Sequence, residues 1–240
     1  MITLNDVSFS YANKRQVLSN ITCHIEKNKN VGIIGANGAG KSTILKLLVG
    51  LEQNYTGNIL VDNIRVERKN INKIREKIGY VFQDSDSQLF MPTVYEDIAF
   101  GLKNYKLSKN EIDERVFTAM SKIGIENLKN RSIYSLSGGE KKLVSLATVL
   151  AMSPEILIFD EPTIALDPQN RRKFINTINS LDGTKIITSH DLDLIYDTCE
   201  KTILISHGKI VKQGQTVEIL NDKKLLENNG LELPLSLIKR

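Results

Sequence analysis

Apolar and polar residues alternate near the start of the chain, as they do in half-exposed β-strands. The apolar positions predicted to face inward are Ile2, Leu4, Val7, Ile21, Cys23 and Ile25. Short apolar runs at 31–34 and 156–159 indicate strands buried on both faces, and the segment 185–188 is interpreted as a third buried strand. Between these runs, apolar residues recur at the spacing of an α-helix. The pattern therefore predicts an α/β fold with a mainly parallel sheet covered by helices.

One long segment interrupts this alternation of strands and helices. Residues 94–130 carry helical periodicity without strand signals, and apolar positions at helical spacing return at 143–150. We expect a helical subdomain at about 84–152, followed by a short C-terminal tail at about 215–240. Because no linker or internal repeat divides the chain, we expect residues 1–240 to form a single domain.

Composition and charge argue against a nucleic-acid-binding, membrane-spanning or secreted protein. The chain has 240 residues, of which 41% are hydrophobic and 25% charged, as in ordinary globular proteins. The net charge of +4 is spread along the chain and does not favour nucleic-acid binding. No apolar run reaches the ~18 residues that cross a bilayer, and we expect no signal peptide. Cys23 and Cys199 lack metal-binding spacing and are expected to be reduced, buried thiols of a cytosolic protein.

A glycine-rich segment follows the first buried run and precedes a predicted helix. Residues 35–43, GANGAGKST, match the P-loop pattern G-x-x-x-x-G-K-[ST] in full. Glycines allow successive backbone amides to point at phosphate oxygens, and the helix N-terminus adds positive potential. Lys41 is expected to reach the β- and γ-phosphates, and Ser42 to bind Mg²⁺. The predicted ATP-binding residues of this segment are Gly35, Asn37, Gly38, Gly40, Lys41, Ser42 and Thr43.

Two acids end the second buried run. Asp160 fits a Walker B aspartate that holds Mg²⁺, and Glu161 stands where it could polarise an attacking water as a general base. A pair of solvated acids at a strand end is the alternative. The neighbouring P-loop makes that alternative the weaker one.

The segment 136–140, LSGGE, begins a predicted helix shortly before the Walker B strand. Together with the P-loop it resembles the signature motif of the ATP-binding-cassette (ABC) ATPases. The resemblance covers residues 1–215. It implies a P-loop NTPase fold with a RecA-like, mainly parallel sheet, an N-terminal antiparallel β-subdomain and a helical subdomain. It also implies an enzyme that hydrolyses ATP with Mg²⁺.

The resemblance assigns roles to further residues. Gln83 matches the Q-loop glutamine, a ligand of Mg²⁺ and a sensor of the partner subunit, and residues 165–167 match the D-loop. His190 matches the switch histidine that contacts the γ-phosphate, so that Glu161 and His190 are the expected catalytic residues. Tyr11 matches the aromatic residue that stacks on adenine. As alternatives, Tyr11 could be a core aromatic and His190 a neutral structural histidine.

The resemblance also implies a dimer. In this family two subunits pack head to tail, and the signature helix of each points Ser137, Gly138 and Gly139 at the γ-phosphate bound by the other. The physical basis is a helix N-terminus facing an anion. ATP would then shift an equilibrium between open and closed pairs.

One stretch narrows the resemblance. Residues 83–90, QDSDSQLF, the segment 93–101 and the residues Gly230 to Pro234 are similar to the ATPases of energy-coupling-factor transporters, especially the cobalt/nickel type called CbiO. Those ATPases drive uptake of vitamins or metal ions through a transmembrane T-component and a substrate-binding S-component. This implies a peripheral location on the cytoplasmic face of the membrane. The apolar residues 89–91 could form a groove for a partner helix or, alternatively, a core contact.

The sequence departs from the family pattern at a few positions. Leu143 stands where an arginine is usual, and Ile164 where the D-loop often has a small residue. Relatives continue past the equivalent of Arg240 into a helical region, so we expect dimerisation to depend on nucleotide. We expect Lys141 and Lys142 to form a solvated helix face, and the histidines that the motifs do not use, His24 and His207, to lie on the surface.

Three functions are compatible with these motifs. The first is the ATPase subunit of an energy-coupling-factor importer, for which the QDSDSQLF stretch is the specific sign. The second is an ATPase of another transporter type with different membrane domains. The third is a non-transport cassette ATPase, which would usually carry a coiled-coil insertion or a second cassette.

Overall fold

The computed structural model describes residues 1–12 and 16–238, and within these ranges the chain forms ten strands and nine α-helices. The strands are β1 (Ile2–Ser10), β2 (Gln16–Ile25), β3 (Asn30–Ile34), β4 (Tyr55–Val61), β5 (Ile64–Arg65), β6 (Ile78–Val81), β7 (Ile156–Asp160), β8 (Thr184–Thr188), β9 (Lys201–Ser206) and β10 (Lys209–Gln215). The helices are α1 (Lys41–Leu48), α2 (Ile71–Lys77), α3 (Val94–Leu102), α4 (Lys109–Ile123), α5 (Gly138–Leu150), α6 (Pro168–Ser180), α7 (Leu192–Thr198), α8 (Thr216–Leu220) and α9 (Lys223–Asn228).

An antiparallel sheet forms the N-terminal part of the fold. Its strand order is β2-β1-β4-β5, and β1 pairs with both β2 and β4. In the pairing of β1 with β2, Ile2 lies opposite Ile25 and Leu4 opposite Cys23. All six positions predicted to face inward are buried, which confirms the alternating pattern of the sequence.

A second sheet of six strands has the order β10-β9-β3-β8-β7-β6. Its strands β9, β3, β8, β7 and β6 are parallel, and β10 pairs antiparallel with β9 at one edge. The prediction of a mainly parallel sheet is confirmed. Because the carboxyl ends of parallel strands meet along one edge, the segments that follow β3, β7 and β8 are brought together there.

Helices cover both faces of this sheet. Successive residues of a strand point to opposite faces, and Ile33, Ile158 and Ile186 belong to one hydrophobic cluster, shared with α1 and the antiparallel sheet. Their neighbours Ile34, Phe159 and Ile187 belong to a second cluster, shared with α6 and α7. Phe159 packs edge-on against Phe174 of α6, with ring centroids 6.4 Å apart.

A third hydrophobic cluster lies within the segment predicted to be helical. Its buried members run from Leu89 to Ala151 and come mainly from α3, α4 and α5. Each of these helices begins with a capping box, in which a hydroxyl and a glutamate satisfy the free amides of the first turn. The helical subdomain at about 84–152 stays a prediction, because α5 also contributes Leu146 and Val149 to the second cluster.

The C-terminal segment packs on the second cluster. Helix α8 packs against α7, and Leu226 of α9 and Leu231 are buried in the same cluster. The carboxylate of Asp193 accepts the backbone amides of Leu235 and Ser236 at 3.0 Å each. Of the predicted tail at 215–240, residues 239–240 lie outside the described residues. Within residues 1–12 and 16–238, no helix combines the length and apolar character needed to cross a bilayer.

Candidate nucleotide site

The glycine-rich segment lies between β3 and α1, at the edge where the parallel strands end. It borders a cavity of about 720 Å³. The predicted site residues that line this cavity are Tyr11, Asn37, Gly38, Gly40, Lys41, Ser42, Thr43, Gln83, Glu161 and His190. Ten of the predicted residues, taken from five separate parts of the chain, therefore surround one space.

Two glycines of this segment have backbone conformations that other residues rarely adopt. Gly40 has φ of 109° at the start of α1, and a Cβ there would lie 2.6 Å from Leu18 Cδ2. Gly38 has φ of 78°, and a Cβ there would meet nothing within 4 Å. Gly40 is thus required by packing, whereas Gly38 lies on the open side of the turn, where its amide is available to a ligand.

Lys41 is the buried cation of the cavity. Its side chain is only 6% exposed, and its Nζ donates to the carbonyl of Gly35 at 2.8 Å. The same Nζ lies 3.6 Å from Oε1 of Glu161, which is also buried. The ammonium is therefore held between the glycine-rich turn and the end of β7, where a phosphate could take it as a donor.

Asp160 at the end of β7 accepts hydrogen bonds from three other elements. Ser42 Oγ of α1 donates to Oδ1 at 3.0 Å, and Thr188 Oγ1, its register partner on β8, donates to the same atom at 2.7 Å. Tyr80 of β6 donates to Oδ2 at 2.9 Å. Burial and the neighbouring Asp160 carboxylate raise the pKa of Tyr80, so the phenol remains a donor.

The oxygen atoms of Ser42 and Asp160 suit a magnesium ion. Mg²⁺ prefers oxygen ligands and is usually bound by one or two protein groups together with substrate phosphates. Both oxygens belong to residues at the base of the phosphate-binding turn. Gln83, the third predicted metal ligand, lines the same cavity.

Glu161 adopts a strained backbone conformation beside Asp160. Its φ is 46°, which is rare outside glycine and asparagine and often marks functional sites. Its amide donates to the Thr188 carbonyl at 3.0 Å. Its Oε2 accepts the backbone amide of His190 at 3.1 Å and lies 2.8 Å from Nδ1 of the same residue. Both predicted catalytic side chains are therefore in direct contact at the cavity wall.

The segment after His190 is fixed to α6. Arg171 donates to both carboxylate oxygens of Asp191, at 2.7 and 2.8 Å. Burial alone would raise the pKa of Asp191, but the hydrogen bonds from Arg171 and from the Leu194 amide hold it below its usual range. This bidentate pair restricts the position of the neighbouring His190.

The predicted signature residues lie away from the cavity. Ser137 caps α5 by accepting the amide of Glu140, and Gly138 lines a smaller cleft of about 240 Å³ together with Gln83 and Ile164. Ser137, Gly138 and Gly139 do not line the 720 Å³ cavity. The structure therefore brings together the P-loop, Asp160, Glu161 and His190, but not the signature residues, within one chain.

The expectation of a solvated face at Lys141 and Lys142 is wrong for Lys142. This side chain is 2% exposed, and its Nζ donates to the carbonyls of Phe82 and Gln83 at 2.8 and 2.9 Å. Burial lowers the pKa of Lys142 to about 8. Lys141, the more accessible of the two, binds Asp86.

The remaining sequence expectations have mixed outcomes. In the segment 89–91, Leu89 is buried in the helical core, whereas Phe90 is 57% exposed. His24 is exposed on β2. His207 lies in the turn between β9 and β10 as expected, but it also borders the cavity, a contact that its sequence context did not indicate.

Two functional contacts were missed by sequence reasoning. Tyr80 and Thr188 both donate to Asp160, but each stands on a strand whose pattern indicates only burial. Their positions depend on register, since Tyr80 pairs with Ile158 and Thr188 with Asp160 on the neighbouring strand, and the local pattern does not give the strand order. A parallel sheet of known strand order would have supplied that register.

Comparison with known proteins agrees with this geometry. A family model described as ABC transporter matches residues 18–164. The chain is 40% identical to the energy-coupling factor transporter ATP-binding protein EcfA of Methanothermobacter thermautotrophicus, over 98% of this chain and 77% of that protein.

Two solved structures are also similar to this chain. CbiO1 of Clostridium perfringens, described as part of the ABC transporter complex CbiONQ, has a TM-score of 0.85 and 37% identity, over 97% of this chain and 95% of its own. The ATP-binding cassette MJ0796, described as dimeric in a post-hydrolysis state bound to ADP and Pi, has a TM-score of 0.79 and 26% identity, over 90% of this chain and 99% of its own.

We predict that Lys41→Ala weakens ATP binding, because a charge-assisted hydrogen bond to phosphate is lost. A loss of roughly 10- to 150-fold in affinity is expected, measured by titration with a fluorescent ATP analogue. Lys46→Ala is the matched control, since Lys46 lies on the same helix and does not line the cavity. Equal affinity of Lys41→Ala and the parent chain would contradict the assignment.

Proposed function

The chain belongs to the ABC transporter family as an ATPase subunit, and from this premise we propose that it powers an importer of the energy-coupling-factor type. The observation that carries the proposal is the cavity at the strand ends, where Lys41, Asp160 and Glu161 meet. Similarity to EcfA and to CbiO1 over nearly the whole chain supports the transporter type. We propose a transition-metal ion such as cobalt or nickel, or a vitamin, as the cargo.

The residues of the cavity have distinct roles in the proposed reaction. Tyr11 stacks on the adenine ring, the amides of residues 37–42 hold the phosphates, and Lys41 leaves the Gly35 carbonyl to bind the γ-phosphate. Ser42, Asp160 and Gln83 hold Mg²⁺. When bound, this ion neutralises charge on the β- and γ-phosphates.

Glu161 is the proposed general base. Its carboxylate lies at the cavity wall beside the Lys41 ammonium and the His190 ring. Once Lys41 binds phosphate, Oε1 of Glu161 is free to accept a proton from the attacking water. His190 keeps the carboxylate oriented and contacts the γ-phosphate.

A second subunit completes the proposed site. Ser137, Gly138 and Gly139 lie at the N-terminus of α5 and do not line the cavity of their own chain. The backbone amides of the two glycines are therefore available to bind the phosphates held by a second chain. The dimeric state described for MJ0796 supports this arrangement. We propose a head-to-tail dimer, formed with a copy of this chain or with a related cassette.

The membrane partner is proposed to dock on the aromatic pair Phe90 and Phe100. Both rings are exposed, and they pack edge-on with centroids 4.8 Å apart. The buried carboxylate of Asp97 accepts the amides of Phe90 and Met91 at 2.9 and 2.7 Å and so fixes this loop. A coupling helix of a transmembrane T-component would cover the pair, with an S-component supplying the cargo. The subunit would then be peripheral, on the cytoplasmic face of the membrane.

We predict that Glu161→Gln binds ATP but no longer hydrolyses it, and that ATP holds this variant as a dimer. A fall in turnover of about 100-fold or more is expected from the loss of the base. Steady-state phosphate release and light scattering after gel filtration measure the two effects. Glu155→Gln, which changes a partly exposed glutamate before β7, is the control. Turnover at the parental rate in Glu161→Gln would show that Glu161 is not the base.

We predict that Phe90→Ala reduces co-purification with a T-component expressed together with this chain. Truncation removes the exposed ring that the coupling helix would cover, and an interface anchor of this size is worth about 2 kcal/mol or more. Phe117→Ala is the matched control, because Phe117 is 62% exposed on the outer face of α4. Circular dichroism checks that both variants are folded. Undiminished co-purification of Phe90→Ala would exclude this docking surface.

A further inference from the structure

Lys142 connects α5, which carries the signature residues, to the segment around Gln83, the predicted metal ligand. It lies on α5, four residues after Gly138, so that both residues face the same side of the helix. Both line the 240 Å³ cleft, together with Gln83. The ammonium donates to the carbonyls of Phe82 and Gln83. One buried side chain thus joins α5, the signature helix, to the backbone of the Q-loop (residues 82–88).

Further hydrogen bonds join the same two elements. Gln88 donates from Nε2 to the Ser145 carbonyl at 2.7 Å and to Thr148 Oγ1 at 2.9 Å, and its Oε1 accepts the Phe82 amide at 3.1 Å. Both backbone polar groups of Phe82 are therefore bound, one by Gln88 and the other by Lys142. The Q-loop is fixed to α5 at its beginning and at its end.

The burial of Lys142 costs free energy. An ammonium in the protein interior loses its hydration, and the lowered pKa of Lys142 reflects this loss. The two carbonyl groups offset part of that cost, because hydrogen bonds to a charged donor are stronger than neutral ones. The neighbouring Lys141 makes its contact with Asp86 from a more accessible position, so burial is a property of position 142 and not of the lysine pair.

We propose that Lys142 is a positioning residue that makes Gln83 and the signature helix move as one unit. A nucleotide that displaces Gln83 in the cavity of its own chain then also displaces Ser137 to Gly139, which contact the nucleotide of the partner. This inference rests on the proposed function, since it assigns a link between the two ATP sites of the dimer. Lys142 touches neither phosphate nor metal and acts only through Gln83 and α5.

The test uses Lys142→Met, which keeps the length of the side chain and removes its charge. We expect the affinity of the single chain for ATP to stay within about twofold of the parent, since Lys142 does not line the cavity. ATP-driven dimerisation in a Glu161→Gln background and the turnover of the parental background should each fall about tenfold or more. Lys142→Gln, whose amide can donate to one carbonyl, should recover part of both losses.

Two controls separate positioning from a general loss of stability. Lys122→Met removes the charge of an exposed lysine on α4 and should behave as the parent in every assay. In a double-mutant cycle with Gln83→Ala, Lys142→Met should add less than about twofold to the loss, because Lys142 acts through Gln83. Thermal unfolding followed by circular dichroism identifies any variant that is not folded, and Lys142→Gln then takes the place of Lys142→Met in the cycle.

The outcomes distinguish this inference from the function on which it rests. If Glu161→Gln forms an ATP-bound dimer and Lys142→Met leaves dimerisation and turnover unchanged, the inference is overturned and the proposed function stands. Additive losses in the cycle also overturn it, since they show that Lys142 acts independently of Gln83. If Glu161→Gln does not dimerise with ATP, both are overturned.

Discussion

The carboxylate of Asp160 is the contact on which the geometry of the nucleotide site depends. It accepts hydrogen bonds from Ser42 of α1, Tyr80 of β6 and Thr188 of β8, while its own residue ends β7. These elements are separated by 28 residues or more along the chain. They meet because the parallel strands end at the same edge of the sheet. Asp160 therefore fixes the position of the phosphate-binding turn relative to Glu161, which follows it directly.

The same edge is consistent with the proposal that the chain carries half of a composite site. The P-loop and Glu161 line one cavity and Asp160 binds Ser42 beside it, whereas the N-terminus of α5 does not line that cavity. Helix α5 contributes Val144 and Ala147 to the helical cluster and Leu146 and Val149 to the cluster beside the sheet, so it packs on both. The buried ammonium of Lys142 links α5 to the carbonyls of Phe82 and Gln83. In the proposed dimer, this link is the route by which ATP bound to one chain acts on the site of the other.

Sequence alone predicted the parts of the site that depend on local structure. A P-loop is a strand, a turn and a helix in direct succession, so residues 35–43 could be interpreted without knowledge of the sheet. The end of β7 was equally clear from an apolar run followed by two acids. The contacts of Tyr80 and Lys142 could not be predicted, because each depends on which distant element lies beside it. For Lys142, the charge pattern indicated a solvated face, and only the packing of α5 against the Q-loop reverses that expectation.

The most direct test of the central claim is the effect of Mg²⁺ on ATP affinity in Asp160→Asn, measured by calorimetric titration with and without the metal. If Asp160 and Ser42 hold the ion, the parent chain binds ATP more tightly with Mg²⁺. Asp160→Asn should keep its affinity for metal-free ATP and lose most of that gain, by about 10- to 100-fold. A variant that retains the full effect of Mg²⁺ would contradict the account of how the strand ends build the site.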